Sequence, residues 1–257
     1  MMKFCKQSIQ FILFAVTMFT LFSFAPGKAY GPTAPSNKSN VTKSSFSLYQ
    51  KLALAAKGLS YQAFEMAYTG MHELYEAGKV QNNQLLTIVD FSLPSTQKRL
   101  FVIDVIKGAL LFNTYVAHGK NSGKLMATRF SNRPNSYESS LGFYVTENTY
   151  KGKHGFALRL NGLEPGINDN ALNRGIVMHA ANYVNEQFIR MQGYLGRSEG
   201  CPALPPKVTS AIIGTIKEGS CLFIYSSNQQ YLAQSTLAQP LPDSLVQNLE
   251  VNAANSF

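Results

Sequence analysis

Two side chains in this sequence have the types and spacing for covalent catalysis. His179 closes the apolar run Ile176-Val177-Met178, and Cys201 follows 22 residues later within Ser198-Glu199-Gly200-Cys201-Pro202-Ala203. A free thiol, with a pKa of about 8.5, is only slightly ionised at neutral pH, so a cysteine nucleophile needs a base such as an imidazole. Gly200 lets the backbone turn its N–H groups towards a developing oxyanion without a Cβ in the way. A helix opening at Pro205-Pro206 would lower the thiol pKa further through its N-terminal dipole. On residue types alone, a buried structural thiol is the competing explanation.

The remaining chemistry-bearing patterns fail on context. Ser95-Thr96-Gln97-Lys98 has the spacing of a serine–lysine nucleophile pair, but it falls between two short strands rather than opening a helix. There is no phosphate loop, dinucleotide fingerprint, His-Glu-Xaa-Xaa-His or paired-cysteine metal spacing. Basic and aromatic residues are scattered and match no nucleic-acid-binding signature. His72 has no partner at ligand spacing and is expected on a helix surface, while His118 stands at a strand end before Gly119.

The elements that must position His179 and Cys201 are mostly strands. Short β-rich runs cover residues 85–91, 99–105 and 110–116, separated by turn residues, which predicts antiparallel hairpins. A polar loop over 119–140 leads to further runs at 142–146, 156–160 and 176–179. A helix is expected over 207–216, and Cys221 lies in the apolar strand Ser220 to Tyr225. Upstream, Phe64, Tyr68, Met71 and Tyr75 recur at helical spacing, with Ser60 as N-cap and Gly78 as stop; a shorter helix precedes them near Leu48 to Ala56.

The ends of the chain speak to its compartment. Lys3 and Lys6, an apolar run from Ile9 to Phe24, and small residues at Gly27 and Ala29 form a secretory signal with cleavage after Ala29, an uncleaved anchor being the alternative. The protein is therefore expected to be exported, periplasmic or wall-associated, without stable membrane insertion after cleavage. Residues 1–29 are read as signal, 30–47 as a linker rich in Pro, Ser, Thr and Asn, 48–79 as a helical extension, 80–230 as the catalytic unit and 231–257 as a polar tail. Removing Cys5 with the signal leaves Cys201 and Cys221, too few for a disulfide framework, although one bridge is possible on count. The net charge of +9 over 257 residues favours polyanionic surroundings without choosing among them.

The His179 to Cys201 offset, the Ser198-Xaa-Gly200-Cys201 core, and the stretches Ala117-His118-Gly119, Arg129 to Pro134, Ser139 to Gly142, Gly162-Leu163-Glu164 and Arg174 to His179 resemble the murein L,D-transpeptidase catalytic domain family, the YkuD type. The likeness runs from Leu86 to Tyr225; the helical segment lies outside it. It implies a mainly β fold, a sandwich of mixed sheets, to which the residue pattern adds a helix after the nucleophile loop and an N-terminal helical extension. It implies Cys201 as nucleophile, His179 as base, and Ser198 and Gly200 as site-shaping residues, with the N–H groups of Gly200 and Cys201 receiving the oxyanion. No metal or organic cofactor and no nucleic acid is implied; the partners are peptidoglycan stem peptides, whose carboxylates Arg197, Arg174, Arg133 or His154 could hold. For each of these cations a solvated surface role is the alternative.

Two departures stand out. Ala180 replaces the Gly that commonly follows the family histidine, and Pro202-Ala203 replaces the apolar residue and Arg or Asn that commonly follow the cysteine. The reaction implied is cross-linking through a Cys thioester with release of D-Ala. Hydrolysis by the same thiol, as a carboxypeptidase or endopeptidase, and a non-catalytic wall-binding module are the alternatives.

Overall fold

The computed structural model describes residues 35–152 and 155–242. The expected signal segment, the first part of the expected linker, His154 and the end of the tail lie outside the described residues.

The described residues begin with α1 (Pro35–Lys51), a short 3-10 turn at Ala55–Lys57, and α2 (Tyr61–Glu76). Ser60 caps α2 as expected, its side chain accepting from the Ala63 N–H at 3.2 Å. Strands β1 (Asn82–Asp90), β2 (Leu100–Asp104) and β3 (Ala109–Thr114) follow, and then, after a long irregular loop, β4 (Gly142–Gly152), β5 (Gly155–Gly162) and β6 (Val177–Ala180). The last part contains α3 (Glu186–Gln192), β7 (Ala203–Leu204), α4 (Pro206–Ile216), β8 (Ser220–Tyr225) and α5 (Gln229–Gln234).

All eight strands form one mixed sheet in the order β3-β2-β1-β8-β4-β5-β6-β7. Strands β1 to β3 pair antiparallel as their short connections require. Strand β8, arriving after α4, inserts between β1 (parallel) and β4 (antiparallel). Ala117, just beyond β3, bridges Ala203 of β7, with the Ala117 N–H donating to the Ala203 carbonyl at 2.8 Å. The two edges of the sheet thus meet, and the mainly β, mixed-strand fold that the resemblance implies is the fold observed, with α4 after the nucleophile loop and helices at the N-terminus.

The linker expected up to residue 47 is instead helical from Pro35. Ser, Thr and Asn are poor helix formers, so local preference argues against this segment; tertiary contact overrides it. Phe46 and Tyr49 are buried, and both rings meet Tyr61 edge-on, at 5.1 and 5.2 Å between centroids. The short helix expected over 48–56 is accordingly the end of α1, which stops where Ala53 takes a positive φ. Leu54, Phe64, Met66 and Met71 join Leu86, Ile88, Phe143 and Phe223 in one hydrophobic core, so α1 and α2 share the core of the sheet. After β8 comes α5, and Tyr231 on it and Ala238 beyond it are buried.

Candidate active site

Strands β6 and β7 run parallel with His179 opposite Ala203, which places Cys201 two residues before β7 and level with Val177. The Val177 N–H points at the Cys201 sulfur at 3.5 Å, and the thiol faces the Gly175 carbonyl at 3.8 Å. His179 and Cys201 therefore sit on neighbouring segments, two residues apart in register. Both remaining cysteines are free: Cys201 is partly exposed and Cys221 is buried in β8, so the possible bridge is not made.

The histidine tautomer follows from its surroundings. His179 Nδ1 lies 2.9 Å from the Ala180 carbonyl. A carbonyl can only accept, so Nδ1 carries the proton and Nε2 is the basic nitrogen of the neutral ring. Because this bond uses main chain, Ala can stand where Gly is common.

A set of short polar bonds shapes the nucleophile turn. Ser198 Oγ donates to the Cys201 carbonyl at 2.6 Å and accepts from the Gly200 N–H at 3.1 Å. The Gly200 N–H is thereby engaged by Ser198 Oγ, and the Cys201 N–H has no acceptor among the described residues. Gly200 itself is required: its φ is +123°, and a Cβ would lie 2.8 Å from the Glu138 carbonyl. Ser139 Oγ donates to the Gly200 carbonyl and accepts from the Gly119 N–H, at 2.9 and 3.0 Å. Ser139 was not singled out as a site residue, because its role depends on main-chain groups brought together by the fold.

The cations divide sharply. Arg174 donates to the carbonyls of Ser131 and Glu138, each at 2.6 Å, and to the hydroxyls of Ser136 and Ser140, so it clamps the loop over 131–140. Arg197 donates to the carbonyls of Lys120 and Gly123, at 3.1 and 3.2 Å. Both guanidinium groups donate to loop carbonyls in this geometry. Arg133 is exposed. His118 is buried, with Nδ1 accepting from Arg99 at 2.7 Å and Nε2 facing the Gly123 carbonyl at 3.2 Å; it is a structural histidine. His72 is exposed against Tyr68.

Burial raises the Cys201 thiol above its ordinary pKa; the Val177 N–H and the Arg174 charge pull the other way and Glu199 adds to the rise. Tyr183 is a site neighbour that the sequence reading missed. Its phenol is pushed up to about 12 by burial first and then by the charges of Cys201 and Glu199. Ala203 is fully buried and closes the sheet against Ala117, so the position where Arg or Asn is common belongs here to the core. No group of three His, Cys, Asp or Glu among the described residues is placed to hold a metal ion, and none of their helices is long and apolar enough to cross a membrane.

The sequence matches a family model described as the L,D-transpeptidase catalytic domain over residues 55–225, about two thirds of the chain. The match takes in α2, which the sequence reading had left outside the domain. No curated protein matches the chain. Among solved structures it is similar to an L,D-transpeptidase from Mycobacterium smegmatis, at 15% identity and a TM-score of 0.35 over 56% of this chain and 59% of that one. The helical cell shape determining protein Pgp2 from Campylobacter jejuni aligns at 15% and 0.36, over 61% and 54%. An L,D-transpeptidase from Stackebrandtia nassauensis aligns at 14% and 0.35, over 72% and 77%. The chain thus spans less than two thirds of the first two relatives.

Proposed function

Because this chain belongs to the L,D-transpeptidase catalytic domain family, we propose that it is an exported cysteine acyltransferase that cross-links peptidoglycan stem peptides through a thioester on Cys201. The observation that carries this reading is the pairing of β6 with the nucleophile turn, with the Val177 N–H directed at the thiol and the His179 tautomer held by Ala180. His179 Nε2 takes the thiol proton as sulfur attacks the carbonyl on the L-centre side of an L,D peptide bond. The Cys201 N–H donates to the oxyanion. The C–N bond then breaks, the imidazolium returns its proton to the departing D-Ala amine, and a thioester remains. An acceptor amine attacks that thioester, His179 takes the amine proton, and sulfur leaves as thiolate to be reprotonated. Arg133, exposed on the loop over 131–140, is the candidate to meet a substrate carboxylate.

The raised thiol pKa makes the base necessary: proton removal by His179 must accompany attack. Incubating the exported chain with disaccharide-tetrapeptide should yield dimers lacking one D-Ala, read by mass spectrometry, and Cys201→Ala should abolish them while keeping the same thermal unfolding midpoint. Cysteine-dependent tripeptide without dimers would assign hydrolysis instead. No turnover together with no carbapenem adduct on Cys201 would favour a wall-binding module.

A further inference from the structure

A cavity of about 370 Å³ lies on the far side of the loop that contacts Gly200, between residues 128–141 and α5. Its two walls are each pinned by a buried or half-buried charge that the chemistry above does not use. Glu164 accepts from the Phe143 N–H at 2.7 Å, from the Tyr231 hydroxyl at 3.2 Å, and from Ser235 Oγ, fixing α5 to the sheet. Arg174 fixes the opposite wall through the carbonyls of Ser131 and Glu138. A polar pocket with both walls held in place has the preorganisation that a small-ligand site needs.

The lining chemistry narrows the ligand. Phe130, Leu141, Ile167 and Tyr231 supply an apolar floor, and Gln230 and Gln234 stand one helical turn apart on α5 at the exposed rim. The charged lining groups are already satisfied by each other: Arg129 Nε meets Glu138 Oε1 at 3.4 Å, and the same guanidinium donates to the Asn121 carbonyl at 2.9 Å. An apolar floor, an amide rim and charges that occur as an Arg129–Glu138 pair rather than singly suit a neutral ring with one C–H face and several hydroxyl and acetamido groups. Glu138 connects this pocket to the chemistry, because its carbonyl packs against Gly200, the residue before the nucleophile.

We propose that this cavity binds an N-acetylated sugar of the glycan strand, seating the disaccharide while the attached stem peptide reaches Cys201 around the 131–140 loop. The inference rests on the peptidoglycan reading above and extends it to the part of the substrate that does not react. Remote binding of this kind raises turnover of the complete substrate relative to a truncated one.

The test compares disaccharide-tetrapeptide with the same tetrapeptide lacking sugar. The parent chain should favour the sugar-bearing substrate by about tenfold in kcat/KM, equivalent to about 1.4 kcal/mol. The double variant Gln230→Ala/Gln234→Ala should lose that preference while keeping sugar-free turnover and the unfolding midpoint, since both side chains are exposed. Absence of a preference in the parent, or its survival in the double variant, would overturn the proposal. A readout independent of turnover uses N,N′-diacetylchitobiose titrated into isotope-labelled Cys201→Ala chain, with amide shifts expected at Ser131, Gln230 and Gln234 and absent in the added double variant. Shifts elsewhere, no shifts, or shifts caused only by the free tetrapeptide would also overturn it. If neither substrate turns over, the transpeptidase reading fails, and the titration still decides the sugar site.

Discussion

Ser198 holds the turn that carries Cys201. Its hydroxyl receives the Gly200 N–H and donates to the Cys201 carbonyl, closing a turn that leaves the Cys201 N–H without an internal acceptor. Ser198→Ala removes both bonds from a buried turn, so kcat should fall about 10- to 100-fold, as expected for a small displacement of reacting groups. Stability should fall by about 1–3 kcal/mol from the unsatisfied polar groups. Steady-state kinetics beside urea unfolding would check both, and unchanged kcat would show that the turn holds without the hydroxyl. His179, Cys201, Gly200 and Ser198 could be named as candidates from the sequence because a thiol, a base and a Cβ-free turn are demands on residue type, and the fold brings these four together around β6 and the turn before β7. The duties of Arg174 and Arg197 could not, since their partners are mostly carbonyl oxygens, which every residue carries and no sequence pattern marks.

Helices α1 and α2 are part of the scaffold on which the active-site strands rest. Gly70 in α2 has no positive φ; its constraint is proximity, because a Cβ there would overlap the Phe143 ring of β4, which stacks on Phe223 of β8 at 4.1 Å between centroids. Gly70→Ala improves helix propensity by about 1 kcal/mol, yet overpacking against two central strands should outweigh this and leave a net loss of about 1–3 kcal/mol. Thermal unfolding would register it, and a rise in midpoint would mean that the helix stands off the sheet. The helical face of α2 was readable from its spacing and its Ser60 cap. Helix α1 was not, because its Ser- and Thr-rich composition carries no periodic signal strong enough to compete with a linker reading until Phe46 and Tyr49 find Tyr61. The loop between β3 and β4 offered no periodicity either; its order comes from bonds such as Ser139 N–H to Ser122 Oγ at 2.9 Å and Arg129 to the Asn121 carbonyl.

Closure of the sheet brings a charged network into the interior. Arg99 is fully buried, donating to the carbonyls of Leu93 and Val116 and to His118 Nδ1, with buried Asp90 as counter-charge. Since the guanidinium can only donate, His118 must stay neutral at Nδ1. Burial, then the Arg99 charge, lowers its pKa from 6.5 to about 3. The unfolded chain therefore takes up this proton first, so the stability is fully present above about pH 6.5 and is lost as pH falls towards 3. His118→Asn, which keeps an acceptor for Arg99 but cannot titrate, should flatten the fall of the unfolding midpoint across that window; an unchanged acid limb would place the sensitivity in other groups. The same histidine carries the closure forward, its carbonyl accepting from the Ser198 N–H at 3.0 Å. Strand identities, the α2 face and the His179 and Cys201 candidates follow from local composition and spacing, because periodicity and residue chemistry are properties of neighbouring residues. The joining of Ala117 to Ala203, the burial of Arg99 beside His118, the loop clamps of Arg174 and Arg197, and the cavity under α5 arise only when segments distant in the chain meet, because each depends on backbone groups whose positions no residue type records.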